Sequence, residues 1–192
     1  MRALDPVKVG TAECRAWAAY YRRDWPRVLT GALGMVWHGF GLDPGRTLLA
    51  AWYVLRANQF WAPFPDNDPD AARRQMARFY RLVDRAGRVS VDPVVAADLE
   101  VSWWQVHRQR QRHAAVTDTA LVGALVDLYA YVYRTEPDAV RPAARLRVEA
   151  MELSDAWVAA GCRVDDPLLR AEERALIGSH TALSQAVVHR SS

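Results

Sequence analysis

The sequence predicts an all-α fold, built as a single-domain bundle of about seven or eight helices. Three observations carry this prediction: long segments with helical periodicity, helix-start signals that recur between them, and no stretch with the alternation of a strand. The chain has 192 residues and an apolar fraction of 51%, which suits one substantial core. We therefore expect one helical domain over residues 1–192.

Acids followed by proline divide the chain into its elements. There are six such pairs: Asp5-Pro6, Asp43-Pro44, Asp68-Pro69, Asp92-Pro93, Glu136-Pro137 and Asp166-Pro167. An Asp side chain caps free backbone amides, and proline at the first helical position loses no hydrogen bond. Five of the pairs precede long periodic segments. The predicted helices run over residues 11–23, 24–38, 44–60, 69–86, 93–113, 118–134, 137–160 and 167–189.

Two of these helices have the apolar character of central elements. Between its predicted cap and Arg134, helix 118–134 contains one charged residue, Asp127. Helix 137–160 carries two apolar stripes, which is typical of a helix packed between neighbours. Gly87 and Gly161 stand where helices are expected to end, since glycine adopts the left-handed conformation of a C-terminal cap.

Charge and composition limit the partners. The net charge is +3 and the pI about 9.1, without the concentrated basic surplus of a dedicated DNA-binding protein, so we expect no nucleic-acid partner. The most apolar run, residues 48–55, is far shorter than the roughly 20 residues that span a membrane. Two cysteines and no secretory signal predict a cytoplasmic protein. The near-absence of lysine among the basic residues indicates a GC-rich, bacterial genome.

Polar residues on apolar helix faces are the candidate site. Glu100 and His107 are seven residues apart and lie within about 20° of each other on one helix face. Asp155 falls inside an apolar stripe, Glu152 is one turn away from it, and Asp127 is in the apolar sixth helix. Carboxylates and a histidine inside a helical bundle are the ligands of non-haem iron or manganese. These five residues are therefore candidate metal ligands.

The Glu100-x6-His107 spacing resembles one ligand helix of the haem-oxygenase-like di-iron oxidases. The resemblance covers this helix alone, because no Asp/His pair one turn apart occurs in the last helices. It implies an iron site that activates dioxygen. The alternative is structural: Glu100, Asp127 and Asp155 pair with arginines, among them Arg56, Arg145 or Arg147, and His107 binds a backbone carbonyl.

Eight tryptophans are a second unusual feature. Trp103, Trp104 and Trp52, with His38, are candidates for the wall of a ligand pocket, although tryptophans also fill wide spaces between helices. The leading hypothesis is a protein that binds a small, largely apolar molecule, with a metal-dependent oxidase as its catalytic version. The alternative is a non-catalytic interaction protein with no active site, whose partner is another protein.

Overall fold

The computed structural model describes residues 4–112 and 117–188, which form eight α-helices without any strand. The all-α, single-domain prediction is confirmed for this part of the chain. The helices are α1 (Pro6–Tyr21), α2 (Trp25–Phe40), α3 (Pro44–Trp61), α4 (Pro69–Arg85), α5 (Pro93–Arg112), α6 (Asp118–Tyr133), α7 (Pro137–Ala159) and α8 (Pro167–Val188).

The helix starts follow the capping chemistry that the sequence predicts. At Asp5, Asp24, Asp43 and Asp68 the side chain accepts a hydrogen bond from the backbone N–H three residues later, over 2.8–3.3 Å. Such a cap stabilises a helix by about 1 kcal/mol. Thr117 caps α6 in the same way. Glu136 makes no capping bond, yet Pro137 still begins α7.

The first helix begins earlier than predicted. It starts at Pro6 rather than at residue 11, so all six acid–proline pairs mark a helix start. Gly10 lies in the middle of this helix although glycine is a poor helix former. A Cβ at Gly10 would lie 2.7 Å from the backbone nitrogen of Ile177. The glycine is needed because α8 passes directly against it, a requirement that local sequence does not reveal.

The predicted glycine ends of α4 and α7 are confirmed. Gly87 has φ +66° and Gly161 has φ +94°, the left-handed region that glycine adopts without strain. The amide after each glycine bonds a carbonyl in the last helical turn: Arg88 to Val83 and Cys162 to Trp157, both at 3.1 Å. These bonds satisfy carbonyls that would otherwise be left free.

The helices form a closed ring. Each packs mainly against the next one along the chain, and α8 returns to pack against α1. The Asp5 amide, at the start of α1, donates to the His38 carbonyl near the end of α2, so these two helices are antiparallel. At one end of the ring α5 also contacts the ends of two helices that are not its neighbours in the ring: Arg108 donates to the Trp61 carbonyl of α3, and His107 contacts Asp155 of α7.

Helices α6 and α7, predicted to be central, contribute heavily to the core. In α7 the completely buried Trp157 donates from its indole nitrogen to the Arg163 carbonyl at 2.6 Å. In α6 Leu121 and Leu125 are completely buried. Both helices are members of the ring, and they share the interior with the other six. Among the helices of the described chain, none has the length and apolarity that a membrane span requires.

Candidate functional site

The ring surrounds a cavity of about 470 Å³ to which all eight helices contribute. Most of its wall is aromatic or aliphatic, and its aromatic side chains are Trp17, Tyr20, Tyr21, Phe40, Trp61, Phe64, Phe79, Tyr80, Trp103, Trp104, Tyr129 and Tyr133. Cavities of about 300–1,000 Å³ with apolar walls and a few polar groups are the usual form of small-molecule sites. The polar groups of this wall therefore determine which small molecules fit the cavity.

A buried ion pair lies on one side of the cavity. Glu13 of α1 has no exposed surface and accepts hydrogen bonds from both terminal nitrogens of Arg147 in α7. His180 of α8 contacts the same carboxylate, with 2.7 Å between its Nε2 and Glu13 Oε2. An ionised carboxylate only accepts hydrogen bonds, so His180 donates from Nε2. Three helices that are distant in sequence are thus joined at one carboxylate.

The charge of Glu13 depends on these partners. Burial by itself raises the pKa of Glu13, because a charge is costly away from water. The Arg147 guanidinium and the His180 hydrogen bond outweigh that effect and lower the pKa to about 2. Burial likewise opposes the charge of Arg147, and Glu13 more than compensates, so the pKa of Arg147 is raised. The pair stays ionised and carries no net charge.

Glu100 of α5 is a second acid of the cavity wall. Its carboxyl group accepts hydrogen bonds from the Tyr80 hydroxyl at 2.7 Å and the Trp103 indole nitrogen at 3.1 Å. Burial raises the pKa of Glu100, and the contributions of Tyr80 and Arg147 offset this only in part. Glu100 lies deep in the bundle yet is not fully covered by protein, because it borders the cavity.

The two acids belong to one connected cluster. The Arg147 guanidinium lies 5.4 Å from the ring centres of both Trp17 and Trp103, and Trp103 is the donor to Glu100. A guanidinium over an aromatic face is attracted by the ring quadrupole. The cluster combines an ion pair whose charges cancel with Glu100, an acid whose pKa is raised by burial. Among the described residues of the cluster, the only cation, Arg147, is thus already paired with Glu13, and the deep part of the cavity offers no free positive charge.

The predicted metal ligands are not gathered into one set. Glu100 binds Tyr80 and Trp103, whereas His107 binds Asp155 at 3.2 Å. Glu152 forms an ion pair with Arg110 at 2.6 Å, and Asp127 is exposed on α6. Within residues 4–112 and 117–188, no three His, Cys, Asp or Glu side chains are grouped so that they could hold a metal ion. Of the five residues, only His107 and Asp155 meet.

The structural alternative differs from this arrangement in its partners. Glu100 is held by Tyr80 and Trp103, and Asp155 is held by His107 and Gln111, rather than by arginines. Glu152, which was not part of that alternative, pairs with Arg110. His107 donates to a carboxylate rather than to a backbone carbonyl. Arg147, expected near Asp127 or Asp155, instead pairs with Glu13.

The predicted pocket residues lie in different places. Trp103 and Trp104 form part of the cavity wall, with ring centres 6.0 Å apart. Trp52 is 47% exposed on α3, and it is not among the described residues that line the cavity. His38 is half-buried near the end of α2 and is also outside that lining.

The cluster of Glu13, Arg147 and His180 was not predicted from the sequence. The predicted first helix starts at residue 11, which places Glu13 in its first turn. Acids are common in the first turn of a helix, so Glu13 did not stand out. His180 has no acid one turn away in its own helix, so its local sequence does not mark it as a site residue. One signal was available: Glu13 stands among Gly10, Ala12, Cys14 and Ala16, small residues that are typical of close helix packing. An acid on such a face needs a buried partner.

Comparisons with protein-family models, with curated proteins and with solved structures give no match to this chain.

Proposed function

We propose that this protein binds a small, largely apolar molecule in the cavity enclosed by its eight helices. The observation that carries the proposal is the cavity itself, about 470 Å³ in volume and lined mainly by aromatic and aliphatic side chains. Closely packed interiors seldom leave spaces larger than a water molecule. A space of this size costs packing energy, which a ligand with an apolar body would recover.

The polar cluster indicates what kind of group the deep end receives. Glu13 and Arg147 cancel each other's charge, and Glu100 has a raised pKa. An anionic ligand group placed there would lose its hydration and meet no positive charge that Glu13 does not already neutralise. A neutral group such as a hydroxyl or carbonyl would instead exchange hydrogen bonds with Glu100 or Arg147. The ligand of this proposal therefore carries no anionic group at its inner end.

The metal-dependent oxidase remains a prediction from the sequence. It requires Glu100, His107 and the other acids to share one ion, and the described arrangement gives it no support beyond the contact of His107 with Asp155. Metal analysis of the purified protein is its direct test. Bound iron or manganese in stoichiometric amount would support the oxidase, and no metal with no measurable affinity would reject it.

Binding of a neutral fluorescent probe tests the cavity. The probe is 1-aminoanthracene, whose emission rises when it leaves water. Val132 is 5% exposed and lines the cavity, so Val132→Trp fills part of the space. Val7 is 57% exposed on α1, and Val7→Trp is the matched control. We expect Val132→Trp to weaken probe binding by about tenfold or more, the equivalent of about 1.4 kcal/mol, and Val7→Trp to leave it unchanged.

Thermal unfolding of both variants shows whether each remains folded. Wild-type protein that fails to bind the probe, or a folded Val132→Trp variant that binds it as well as wild type, would reject the cavity as the binding site. Mass spectrometry of molecules extracted from the purified protein offers an independent check. A co-purified apolar compound that Val132→Trp fails to retain would support the proposal.

A non-catalytic interaction protein is the second candidate, and one observation favours it. Leu48, Leu49 and Trp52 are 55%, 41% and 47% exposed and lie close together on α3. Exposed apolar clusters often mark contacts with other proteins. Three side chains are a small fraction of the roughly 800 Å² that each partner buries in a stable complex, so the cavity remains the better-supported site.

Sedimentation velocity distinguishes this candidate in its simplest form, association of two copies. A dimer that Trp52→Glu dissociates would support it, and a monomer at all concentrations would reject that form.

A further inference from the structure

The cavity meets solvent at one end of the ring. Of the described residues that line it, three are classed as exposed: Arg23, Phe64 and Gln111. Arg23 follows α1, Phe64 follows α3, and Gln111 is in the last turn of α5. All three therefore belong to the end of the ring where α1, α3 and α5 finish. We call this end the mouth of the cavity.

Two arginines line the mouth side by side. Arg108 donates to the carbonyl of Trp61, and Arg23 donates to the carbonyl of the next residue, Ala62, each at 3.0 Å. Because these carbonyls are consecutive in the chain, the two guanidinium groups are held close together. The Arg108 guanidinium also lies 4.0 Å from the ring centre of Trp61. Aromatic stacking and the carbonyl bonds fix both side chains before any ligand arrives.

Neither arginine is neutralised by an acid. Among the described residues, no carboxylate oxygen lies within 4.0 Å of the charged nitrogens of Arg23 or Arg108, although thirteen such ion pairs occur elsewhere. Burial lowers the pKa of Arg108, and the nearby charge of Arg23 acts in the same direction. The partly buried Arg108 and the exposed Arg23 are thus two like charges kept close together, an arrangement that a bound anion would stabilise.

Two acids close to these arginines in the sequence or bonded to their neighbours have other partners. Asp155 accepts from His107 at 3.2 Å and from Gln111 at 2.6 Å. Asp24, the residue after Arg23, caps α2 and forms an ion pair with Arg27 at 2.9 Å. A third cation lies close by, since the Arg112 guanidinium is 3.9 Å from the ring centre of Phe64. Three arginines and the Asp155 carboxylate thus lie around the mouth, which has an excess of positive charge, whereas the one arginine of the deep cluster is paired with Glu13.

We propose that the ligand of this cavity is an amphipathic carboxylate whose anionic end binds between Arg23 and Arg108. This inference rests on the proposed binding function and specifies the class of ligand. A guanidinium presents five N–H donors; each of the two arginines uses one for a carbonyl bond, and Arg108 also interacts with the Tyr20 hydroxyl. The remaining donors match the two oxygens of a carboxylate in charge and in planar geometry.

The difference in charge between the mouth and the deep part of the cavity orients the ligand. The carboxylate stays at the mouth, where cations are unneutralised and water is near. The apolar body extends inward along the aromatic wall and gains from burial of each methylene, about 0.8 kcal/mol apiece. An anion placed in the deep part would meet the Glu13–Arg147 pair, which offers it no net charge.

A matched pair of probes tests this inference: dodecanoate and dodecan-1-ol, which share an alkyl chain and differ in charge. Isothermal titration calorimetry at neutral pH measures their affinities for the wild type, for Arg23→Gln and Arg108→Gln, and for Arg22→Gln. Arg22 is exposed, is next in sequence to Arg23 and does not line the cavity, so it controls for loss of one surface charge.

We expect wild-type protein to bind dodecanoate at least about tenfold more tightly than dodecanol, the effect of about 1.4 kcal/mol of charge-assisted bonding. Each variant at Arg23 or Arg108 should lose most of this preference while its affinity for dodecanol stays within about twofold. The Arg22→Gln variant should keep the preference. Added salt should reduce it, because a partly exposed ion pair is screened.

The outcomes separate this inference from the proposed function. Equal binding of both probes would overturn the carboxylate assignment and leave the cavity as a binding site. Loss of the preference in Arg22→Gln to the same extent as in Arg23→Gln would overturn it as well. Failure of the wild type to bind either probe would overturn both. If Arg108→Gln proves unstable because the Trp61 carbonyl loses its donor, Arg108→Lys keeps the charge and should retain the preference.

Discussion

Replacement of Arg147 with methionine tests the buried ion pair at the centre of the site. Glu13 has no exposed surface, and both of its oxygens accept from Arg147. Methionine keeps an apolar side chain in the cavity wall but removes the charge and every donor. Glu13 then retains His180 as its partner in the cluster. Removal of one member of a buried ion pair costs about 3–5 kcal/mol, and we expect a loss in this range at neutral pH.

The pH dependence gives an independent magnitude for the same interaction. The pKa of Glu13 falls from its ordinary value of 4.5 to about 2 in the folded protein. A difference of about 2.5 between folded and unfolded pKa values corresponds to about 3 kcal/mol of stability. Because the pKa is lowered, this stability is fully present above pH 4.5 and is lost as the pH falls through about 2.

In the Arg147→Met variant the sign should reverse. Burial then dominates and raises the pKa of Glu13 above its unfolded value. In this variant Glu13 contributes most to the free energy of unfolding below pH 4.5, and this contribution is lost as the pH rises through the new, higher pKa. Glu13→Gln, which has no carboxyl group at this position, should show neither pH dependence. Adding it to the wild type and to Arg147→Met therefore isolates the effect of this one carboxyl group on stability.

Urea unfolding over a series of pH values measures these changes. The set comprises wild type, Arg147→Met, Glu13→Gln and the double variant, which together form a double-mutant cycle. We expect the double variant to be more stable at neutral pH than Arg147→Met alone, since it leaves no unpaired charge. If Arg147→Met is no less stable than the double variant, or has the same pH slope as wild type, the charge assignment of Glu13 is wrong.

Two further predictions concern buried positions outside the ion pair. Burial raises the pKa of Glu172 to about 8, although Ser154 and Cys14 act in the opposite direction. Because the pKa is raised, the stability that the protonated Glu172 contributes is fully present below pH 4.5 and is lost as the pH rises through about 8. Glu172→Gln should therefore raise the free energy of unfolding by about 3–5 kcal/mol above this pKa and change it little at low pH. An equal change at high and low pH would contradict the raised pKa of Glu172. Gly10→Ala should cost about 1–3 kcal/mol, because its Cβ would lie 2.7 Å from the α8 backbone. A Cβ at Gly123 would meet nothing within 4 Å, so Gly123→Ala should stabilise the protein by up to about 1 kcal/mol. Urea unfolding measures both variants, and stabilisation by Gly10→Ala as well as by Gly123→Ala would refute the close approach of α8 to α1.

Local chemistry made most of the helix boundaries predictable. A cap such as Asp43 binds the amide of Arg46, three residues away, so the signal and its effect lie in one short segment. Gly87 and Gly161 end their helices through their own backbone conformation. The start of α1 was the exception, because Gly10 is required by contact with α8 rather than by its neighbours in sequence.

The site was less predictable because it is made by distant segments. Glu100 was recognised as an acid on an apolar face, but its donor Tyr80 is on another helix. The bond between Arg147 and Glu13 joins residues 134 positions apart, and His180 is 167 positions from Glu13. No periodicity within a helix determines which faces of α1, α7 and α8 meet.

The sequence by itself thus determined an all-helical chain, the helix starts from α2 onward and a set of polar residues on apolar faces. The tertiary structure decided that the ring closes between α8 and α1 and leaves a cavity inside. It also decided that Glu13, Arg147 and His180 meet there while Glu152 and Asp127 do not. The physical reason is range: caps and turns form between residues three to five apart, whereas the partner of a buried charge depends on how whole helices pack.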